Sequence, residues 1–233
     1  MNTLQHLIDP RRLLLTWQPG EAAGVGRTRR VVAEVVREDD AFVLRYLPGT
    51  QDYDVAVSAG FTGHPAFPLS TVEHRSGVEE ALSRRLPPRK REDFGDFLAK
   101  HRLPNPFPLS DLALLGYTGG ALPSDGFALV PDFADDDVPC DYILEVAGVR
   151  HVRGTDVSSL TVGDPLTFVR DNENLVDRDA LLVVHRGLPL GYVNRAMRQR
   201  VATWAESGHL SARIDRLNGK PGRPLVFARL EVA

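Results

Sequence analysis

A polar segment between short apolar runs constrains the fold of this chain more than any other feature. Phe168–Leu181 passes through an Asp- and Asn-rich stretch and leads into the apolar run Leu181–Val184. A further short run, Gly191–Arg195, follows closely. Short apolar runs bounded by Asp, Asn and Gly are typical of β-strands joined by tight turns. The spacing therefore predicts strand, polar turn, strand, strand and the start of a helix.

Four side chains of this segment are candidate ligand contacts. Asn174, Asp177 and Arg178 fall in the predicted turn, and Arg195 falls at the predicted start of the following helix. Strands hold the polar residues of their turns in fixed positions, as a ligand site on a small β-domain requires. The pattern predicts a binding site at this edge of the domain.

The composition of the 233 residues, with 42% hydrophobic and 25% charged side chains, is that of an ordinary globular protein. The single cysteine, Cys140, excludes an intrachain disulfide and a zinc site made of several cysteines. No motif for a cofactor is present, and we expect none. The apolar runs are too short for a transmembrane helix, and the N-terminus has no signal pattern, so we expect a cytoplasmic protein without membrane contacts.

Two domains are predicted, because the stretch Pro131–Cys140 is rich in Asp and Pro and has no hydrophobic periodicity. Residues 1–131 form the first, 132–140 an acidic linker and 141–233 the second. The first domain reads as α+β. Its predicted strands are 13–17, 30–37, 41–46 and 127–130, and its predicted helices are 51–59, 78–85, 92–101 and 109–117, the last capped by Ser110.

The second domain is mostly β. Its predicted strands are 142–149, 165–170, 180–186, 188–193, 211–217 and 225–232. One helix, Asn194–Glu206, interrupts them, with Asn194 as its N-cap and a buried stripe of Met197, Val201 and Trp204. Short strands with one inserted helix favour a small barrel of the oligonucleotide-binding type.

The charge distribution is uneven, although the net charge is only −3. Residues 184–233 hold nine Lys or Arg and three Asp or Glu, a balance of 9 − 3 = +6. A basic terminal third can face phosphate. The alternative is a solvated helix face with ordinary arginines.

An acidic cluster, Asp171, Glu173, Asp177 and Asp179, allows a second interpretation of the same turn. Asp residues are common in turns because they bond to nearby backbone groups, which favours a structural role. A metal-dependent nuclease using Asp171, Asp177 and Asp179 is the enzymatic alternative. Such chemistry requires carboxylates from separate elements, and no general base stands out, so we expect no enzyme.

The C-terminal part, about residues 142–232, resembles the HIRAN domain. The likeness is carried by Val146–Arg150, by Val169–Leu181 and by Gly191–Arg195. The resemblance implies a small barrel that binds single-stranded DNA, captures a 3′ end and takes part in DNA repair without catalysis.

The resemblance also implies a role for individual residues. Arg150 would contact a backbone phosphate, and Arg195 another phosphate. Asp177, with Asn174 beside it, would bond to the terminal sugar hydroxyl. A carboxylate prefers a hydroxyl end to a phosphorylated one, and arginines supply phosphate affinity.

The chain departs from the helicase form of this family at three aromatic positions. His151 and Val152 follow the arginine where that form has two aromatics, and Val176 precedes the aspartate where it has one. Each aromatic stacked on a base contributes about 1–3 kcal/mol. The candidates to replace them are His151, Tyr192 and Phe227.

The N-terminal part is similar to the first subdomain of HipA-type toxin kinases. The matching stretches are Ala66–Leu69, Leu82–Arg91, Asp111–Gly120 and Phe127–Pro131. The catalytic core of those kinases is absent from this sequence. The resemblance implies an interaction or regulatory module, such as an antitoxin-like partner of a separately encoded kinase; a helicase is the other expected partner.

Overall fold

The structure, a computed structural model, describes residues 3–20, 28–39, 41–122, 125–152, 157–174, 177–220 and 222–233. The chain divides into two compact units. One is Ile8–Ala134, and the other combines Asp135–Ala233 with the N-terminal segment Asn2–Leu7, described from Thr3. The division falls inside the segment 132–140, whose last residue, Cys140, already begins a strand. Val176, one of the departures noted above, lies outside the described residues.

The first unit is an α+β structure, as predicted. Its strands are β1 (Arg12–Trp17), β2 (Arg30–Glu38), β3 (Ala41–Tyr46), β4 (Gly63–His64), β5 (Phe67–Pro68), β6 (Glu73–His74) and β7 (Phe127–Pro131). Its helices are α1 (Gln51–Ser58), α2 (Val78–Ser83), α3 (Phe94–Lys100) and α4 (Asp111–Thr118). An antiparallel sheet of five strands has the order β6-β3-β2-β1-β7. The two-residue strands β4, β5 and β6 were not predicted, because they are too short to show a hydrophobic period.

Local sequence explains these elements. Leu13 and Leu15 alternate along β1 and are fully buried, which sets the register of β1 on β2. Thr50 caps α1 by accepting a hydrogen bond from the backbone of Tyr53 at 3.4 Å. Ser110 caps α4, as predicted, and accepts from the backbone of Ala113 at 3.1 Å.

The core of the first unit contains a polar cluster. Arg85 is buried and donates to both carboxylate oxygens of Asp125 at 2.9 Å, and to the carbonyl of Gly120 at 2.6 Å. His64 is also buried, and its Nδ1 accepts a hydrogen bond from the backbone of Ala66 at 3.2 Å. Burial, and secondly the positive charge of Arg85, lowers the pKa of His64 to about 4. The imidazole is therefore neutral in the folded protein at neutral pH.

We expect the neutral His64 to make the protein less stable in mild acid. The unfolded chain takes up a proton at the ordinary pKa of about 6.5, whereas the folded chain does so only near 4. Stability is therefore fully present above pH 6.5, falls as the pH drops to 4 and then levels off. At pH 5 the loss is about 2 kcal/mol in the free energy of unfolding.

The measurement is urea unfolding of the protein and of His64→Asn at pH 7 and pH 5. Asparagine keeps an acceptor near the Ala66 backbone and does not titrate, so the variant should lose about 2 kcal/mol less between the two pH values. His209→Asn, at an exposed position, is the matched control and should keep the full pH dependence. Equal pH dependence in His64→Asn and the parent protein would contradict the assignment.

The second unit is mostly β. Its strands are β8 (Cys140–Glu145), β9 (Thr167–Arg170), β10 (Leu181–His185), β11 (Leu188–Tyr192), β12 (Leu210–Lys220) and β13 (Arg223–Val232), with one helix, α5 (Arg198–Glu206). They form two antiparallel sheets of three strands, β11-β10-β9 and β12-β13-β8. This confirms a mostly-β C-terminal domain with one helix.

Backbone pairing joins the edges of the two sheets on both sides. Ala147, just after β8, pairs with Tyr192 of β11, and Pro165, just before β9, pairs with Arg213 of β12. Backbone hydrogen bonds of 2.8–2.9 Å accompany both pairs. The hydrogen bonding therefore runs around a ring in the order β9-β10-β11-β8-β13-β12. The interior holds the buried side chains of alternate residues, such as Leu144 and Val226.

The helix of the second unit begins later than predicted. The sequence placed its start at Asn194, but α5 begins at Arg198. The Asn194 side chain accepts from the backbone of Met197 at 3.0 Å, so it caps a preceding turn. Arg195 therefore lies in that turn, three residues before the helix. None of the helices within the described ranges is long and apolar enough to cross a membrane.

The N-terminal segment packs on the second unit through a buried ion pair. Asp141 and Arg229 are both buried and lie 3.1 Å apart. The backbone of Gln5 donates to Asp141 at 2.7 Å, and Arg229 donates to the carbonyl of Thr3 at 3.1 Å. Leu4 between these contacts is buried. The segment 3–7 was predicted to belong to the N-terminal domain, because so short a segment has no pattern that identifies its partner.

Asp141→Asn should destabilise the second unit, because buried Arg229 loses its buried carboxylate partner and keeps only Glu231, which is 32% exposed. We expect a loss of about 3 kcal/mol in the free energy of unfolding, measured by urea denaturation. Asp135→Asn is the matched control, since Asp135 is almost fully exposed and pairs with Arg200 at the surface. Its cost should be at most about 1 kcal/mol. Equal costs for the two variants would show that the buried pair does not hold the segment.

Candidate nucleic-acid interface

The backbone pairing of Ala147, just after β8, with Tyr192 of β11 builds one side of the candidate site. Tyr192 and Ala147 exchange two backbone hydrogen bonds of 2.8 Å. Gly191 makes this approach possible, because a Cβ at that position would lie 2.6 Å from the carbonyl oxygen of Ala147. Gly148, the residue after Ala147, has a φ of 71° and turns the chain beside the ring of Tyr192. The glycines of the two predicted motifs thus join the sheets at this point.

The Asp- and Asn-rich turn lies against the same tyrosine. The Tyr192 hydroxyl donates to Asp171 Oδ2 at 2.9 Å, and Asn174 Nδ2 donates to the same oxygen at 3.1 Å. Burial, and secondly the bond to the Asp171 carboxylate, raises the pKa of Tyr192. Asn174 Oδ1 accepts from the backbone of Asp177 at 2.9 Å. These bonds link Tyr192 to Asp177 through the side chain of Asn174.

Asp177 is held by two arginines. Its Oδ2 lies 3.2 Å from Arg195 Nη2 and also bonds to Arg198 Nη1. Its Oδ1 accepts from the backbone of Asp179 at 3.2 Å. The side chains of Asp177, Arg195 and Arg198 are only 16%, 10% and 19% exposed. A bond between charged groups in such a partly dry site is stronger than one at the open surface.

The geometry leaves the Asp177 carboxylate with acceptor capacity. An ionised carboxylate has about four acceptor positions. The described protein donors occupy three of them. One more hydroxyl donor therefore fits the hydrogen-bonding capacity of the group. A phosphate dianion does not, since it brings no donor and carries the same charge.

The remaining predicted contacts form an exposed rim. Arg150 and His151 lie in the 3-10 turn Val149–His151 that follows Gly148, and both are exposed. Arg150 Nε donates to His151 Nε2 at 3.1 Å. Arg178, the residue after Asp177, is also exposed. Hydrogen bonds and ion pairs thus join four of the predicted residues: Asn174, Asp177, Tyr192 and Arg195. The pairing of Ala147 with Tyr192 connects the Arg150 turn to them.

Two members of the cluster were absent from the predicted interface. Arg198 contacts both Asp177 and Asp179, the latter at 3.2 Å, and Asp171 connects the turn to Tyr192. Arg198 follows Arg195 by three residues, and this spacing was the available signal. Asp171 was considered only as a metal ligand.

The acidic cluster does not form a metal centre within the described part of the chain. No three His, Cys, Asp or Glu side chains there are arranged to hold an ion. Asp171 bonds to Asn174 and Tyr192, whereas Asp177 and Asp179 bond to arginines. These contacts favour the turn interpretation over a nuclease centre.

Comparison with known proteins finds similarity in the second unit. Residues 141–229 match the family model of the HIRAN domain, a nucleic-acid-binding domain, which confirms the prediction for the C-terminal part. A crystal structure of the HIRAN domain of human HLTF is similar, with 15% identity, a TM-score of 0.32, and coverage of 40% of this chain and 74% of that one. A crystal structure of a protein from Lactobacillus plantarum is 28% identical, with a TM-score of 0.30, and covers 38% of this chain and 91% of that one.

No curated protein matches the chain. The family match lies within the second unit and leaves residues 1–140 unmatched. The likeness of the N-terminal part to HipA-type kinases stays a prediction.

Proposed function

We propose, from the HIRAN domain at residues 141–229, that this protein binds single-stranded DNA at its 3′ end and catalyses no reaction. The observation that supports the proposal is the carboxylate of Asp177, fixed by Arg195 and Arg198 and partly removed from water. Polar groups held rigidly in this way are suited to recognising a small chemical feature such as a chain end.

The chemistry of the site favours a hydroxyl end. The Asp177 carboxylate accepts hydrogen bonds, and its negative charge repels a terminal phosphate. Arg195 and Arg198 also place positive charge beside this carboxylate, which attracts the phosphodiester next to the end. Arg150 and Arg178 on the rim add positive charge for the following phosphates.

Two observations support a role without catalysis. The carboxylates of Asp171, Asp177 and Asp179 bond to protein donors, which suits orientation more than metal chemistry. Burial, and then the negative charges of Asp137 and Asp141, raises the pKa of Cys140 to about 12. Its thiol therefore stays protonated at neutral pH and is a poor nucleophile.

A 5′-labelled oligonucleotide with a 3′ hydroxyl should bind more tightly than the same oligonucleotide with a 3′ phosphate. A hydrogen bond to a charged group contributes about 1.5–3 kcal/mol, which corresponds to a preference of roughly 10- to 100-fold. Asp177→Asn should reduce that preference about tenfold, because the amide no longer repels phosphate. Fluorescence anisotropy with the full-length protein measures both affinities.

Asp179→Asn is the matched control for this experiment. It also removes one carboxylate bonded to Arg198, but Asp179 is 62% exposed. It lies outside the proposed end pocket, which consists of Asp177, Arg195 and Arg198. The control should keep the preference for the hydroxyl end. Equal binding of both ends by the parent protein, or the same loss in both variants, would overturn end recognition.

Tyr192 supplies a separate test of base stacking. Its hydroxyl is used on Asp171, so only its ring is available to a base. Tyr192→Ala should lower affinity by roughly 5- to 100-fold at high salt, where phosphate contacts are weakened and stacking persists. Tyr192→Phe keeps the ring and should retain most of the affinity. Unchanged affinity in Tyr192→Ala, with normal circular dichroism, would make this tyrosine purely structural.

A further inference from the structure

Asp171 lies where the loop that carries the candidate site leaves the sheet. Strand β9 ends one residue earlier, at Arg170. The backbone N–H of Asp171 donates to the carbonyl of Ala180 at 2.9 Å, which continues the pairing of β9 with β10 into the base of the loop. The position of Asp171 is therefore fixed by the sheet, whereas Asn174 and Asp177 follow it in the loop.

One carboxylate oxygen of Asp171 connects this loop to strand β11. Oδ2 accepts from the Tyr192 hydroxyl at 2.9 Å and from Asn174 Nδ2 at 3.1 Å. Tyr192 is held in turn by its two backbone hydrogen bonds to Ala147. The carboxylate is thus anchored from two strands, and it presents an acceptor to Asn174 at a fixed place.

The side-chain amide of Asn174 satisfies its two neighbours in only one of its two orientations. An ionised carboxylate only accepts hydrogen bonds, so Asp171 needs the NH2 group of the amide. A backbone N–H only donates, so Asp177 needs the amide oxygen, which lies 2.9 Å from it. Turning the amide over would lose both bonds. Asp171 therefore selects the orientation in which Asn174 accepts from Asp177.

The backbone of Asp177 depends on this arrangement. Its N–H donates to Asn174 Oδ1, and its carbonyl accepts from the backbone of Ala180 at 3.1 Å. Asn174 and Ala180 are both bonded to Asp171. Groups that recognise a ligand need to be held within about 0.5 Å of their productive position. Loss of the anchor at the N–H would therefore loosen the acceptor that Asp177 offers to a chain end.

We propose that Asp171 is a positioning residue that gives the site its preference for a hydroxyl end, because it fixes Asn174 and through it the backbone of Asp177. This inference rests on the proposed function of the domain. A hydrogen bond from a hydroxyl depends strongly on direction, whereas the attraction between arginines and phosphodiesters depends mainly on charge. Loss of Asp171 should therefore reduce the discrimination between chain ends and preserve the general affinity for single-stranded DNA.

Fluorescence anisotropy of the full-length protein with three labelled oligonucleotides of one sequence tests this role. One has a 3′ hydroxyl, one has a 3′ phosphate and one is a circle without ends. Asp171→Ala removes the acceptor and should lower the ratio of the affinities for the first two about 3- to 10-fold. Glu173→Ala is the matched control, because Glu173 is an exposed acidic residue of the same loop. It should keep the ratio, and both variants should bind the circle equally.

An exchange of the two side chains tests the role by rescue. Asn174→Asp alone places two carboxylates against each other and should lower the ratio as Asp171→Ala does. In Asp171→Asn/Asn174→Asp, the amide at position 171 donates to the carboxylate at position 174, whose second oxygen accepts from Asp177. The Tyr192 hydroxyl can accept as well as donate, so it fits either partner. The exchange keeps the net charge of the parent and should recover most of its ratio.

The outcomes separate the positioning role from end recognition itself. A parent protein that prefers the hydroxyl end, with the same ratio in Asp171→Ala and Asn174→Asp, would overturn the positioning role and leave end recognition intact. Equal binding of both ends by the parent would overturn both proposals. An equal loss for all three oligonucleotides in Asp171→Ala, or no recovery in the exchange variant, would show that Asp171 only stabilises the loop. If Asp171→Ala fails to fold by circular dichroism, Asn174→Asp and the exchange variant decide the question.

Discussion

The close backbone pairing of Ala147 with Tyr192 is the constraint on which the second unit depends. It joins the edge of one three-stranded sheet to the edge of the other, so it completes the ring of hydrogen bonds on that side. It requires a residue without a side chain at position 191. The same pairing brings the Arg150 turn, the tyrosine and the Asp171 turn together. The ring of strands and the candidate site are therefore built by one set of contacts.

The charged groups of the candidate site also hold one another in place. Asp177 bonds to both Arg195 and Arg198, so one carboxylate holds the two guanidinium groups close together. A carboxylate alone would repel DNA, and free arginines would bind any phosphate. Together they present an acceptor beside several donors, which matches a sugar hydroxyl next to a phosphodiester. In this arrangement the arginines position the carboxylate as well as supplying charge.

Much of this organisation was predictable from sequence, because it depends on local patterns. The strands follow from apolar alternation, Ser110 from capping chemistry, and the turn holding Asn174 and Asp177 from its composition. The start of α5 was placed at Asn194, because a capping residue looks alike before a turn and before a helix. The burial of Asp141 and the docking of Leu4 depend on partners more than 130 residues apart. No periodicity in either segment indicates that contact.

The bulge at Asp215 shows why the contact of Arg216 with the Phe227 ring could not be predicted from alternation. A strict period of two would place Arg216 inward, where an unpaired guanidinium is costly, and Phe227 outward without a partner. One inserted residue moves the arginine onto the ring and turns Asp215 to a buried position. The bulge therefore decides which side of β12 meets Phe227, and no pattern in the sequence indicates where it falls.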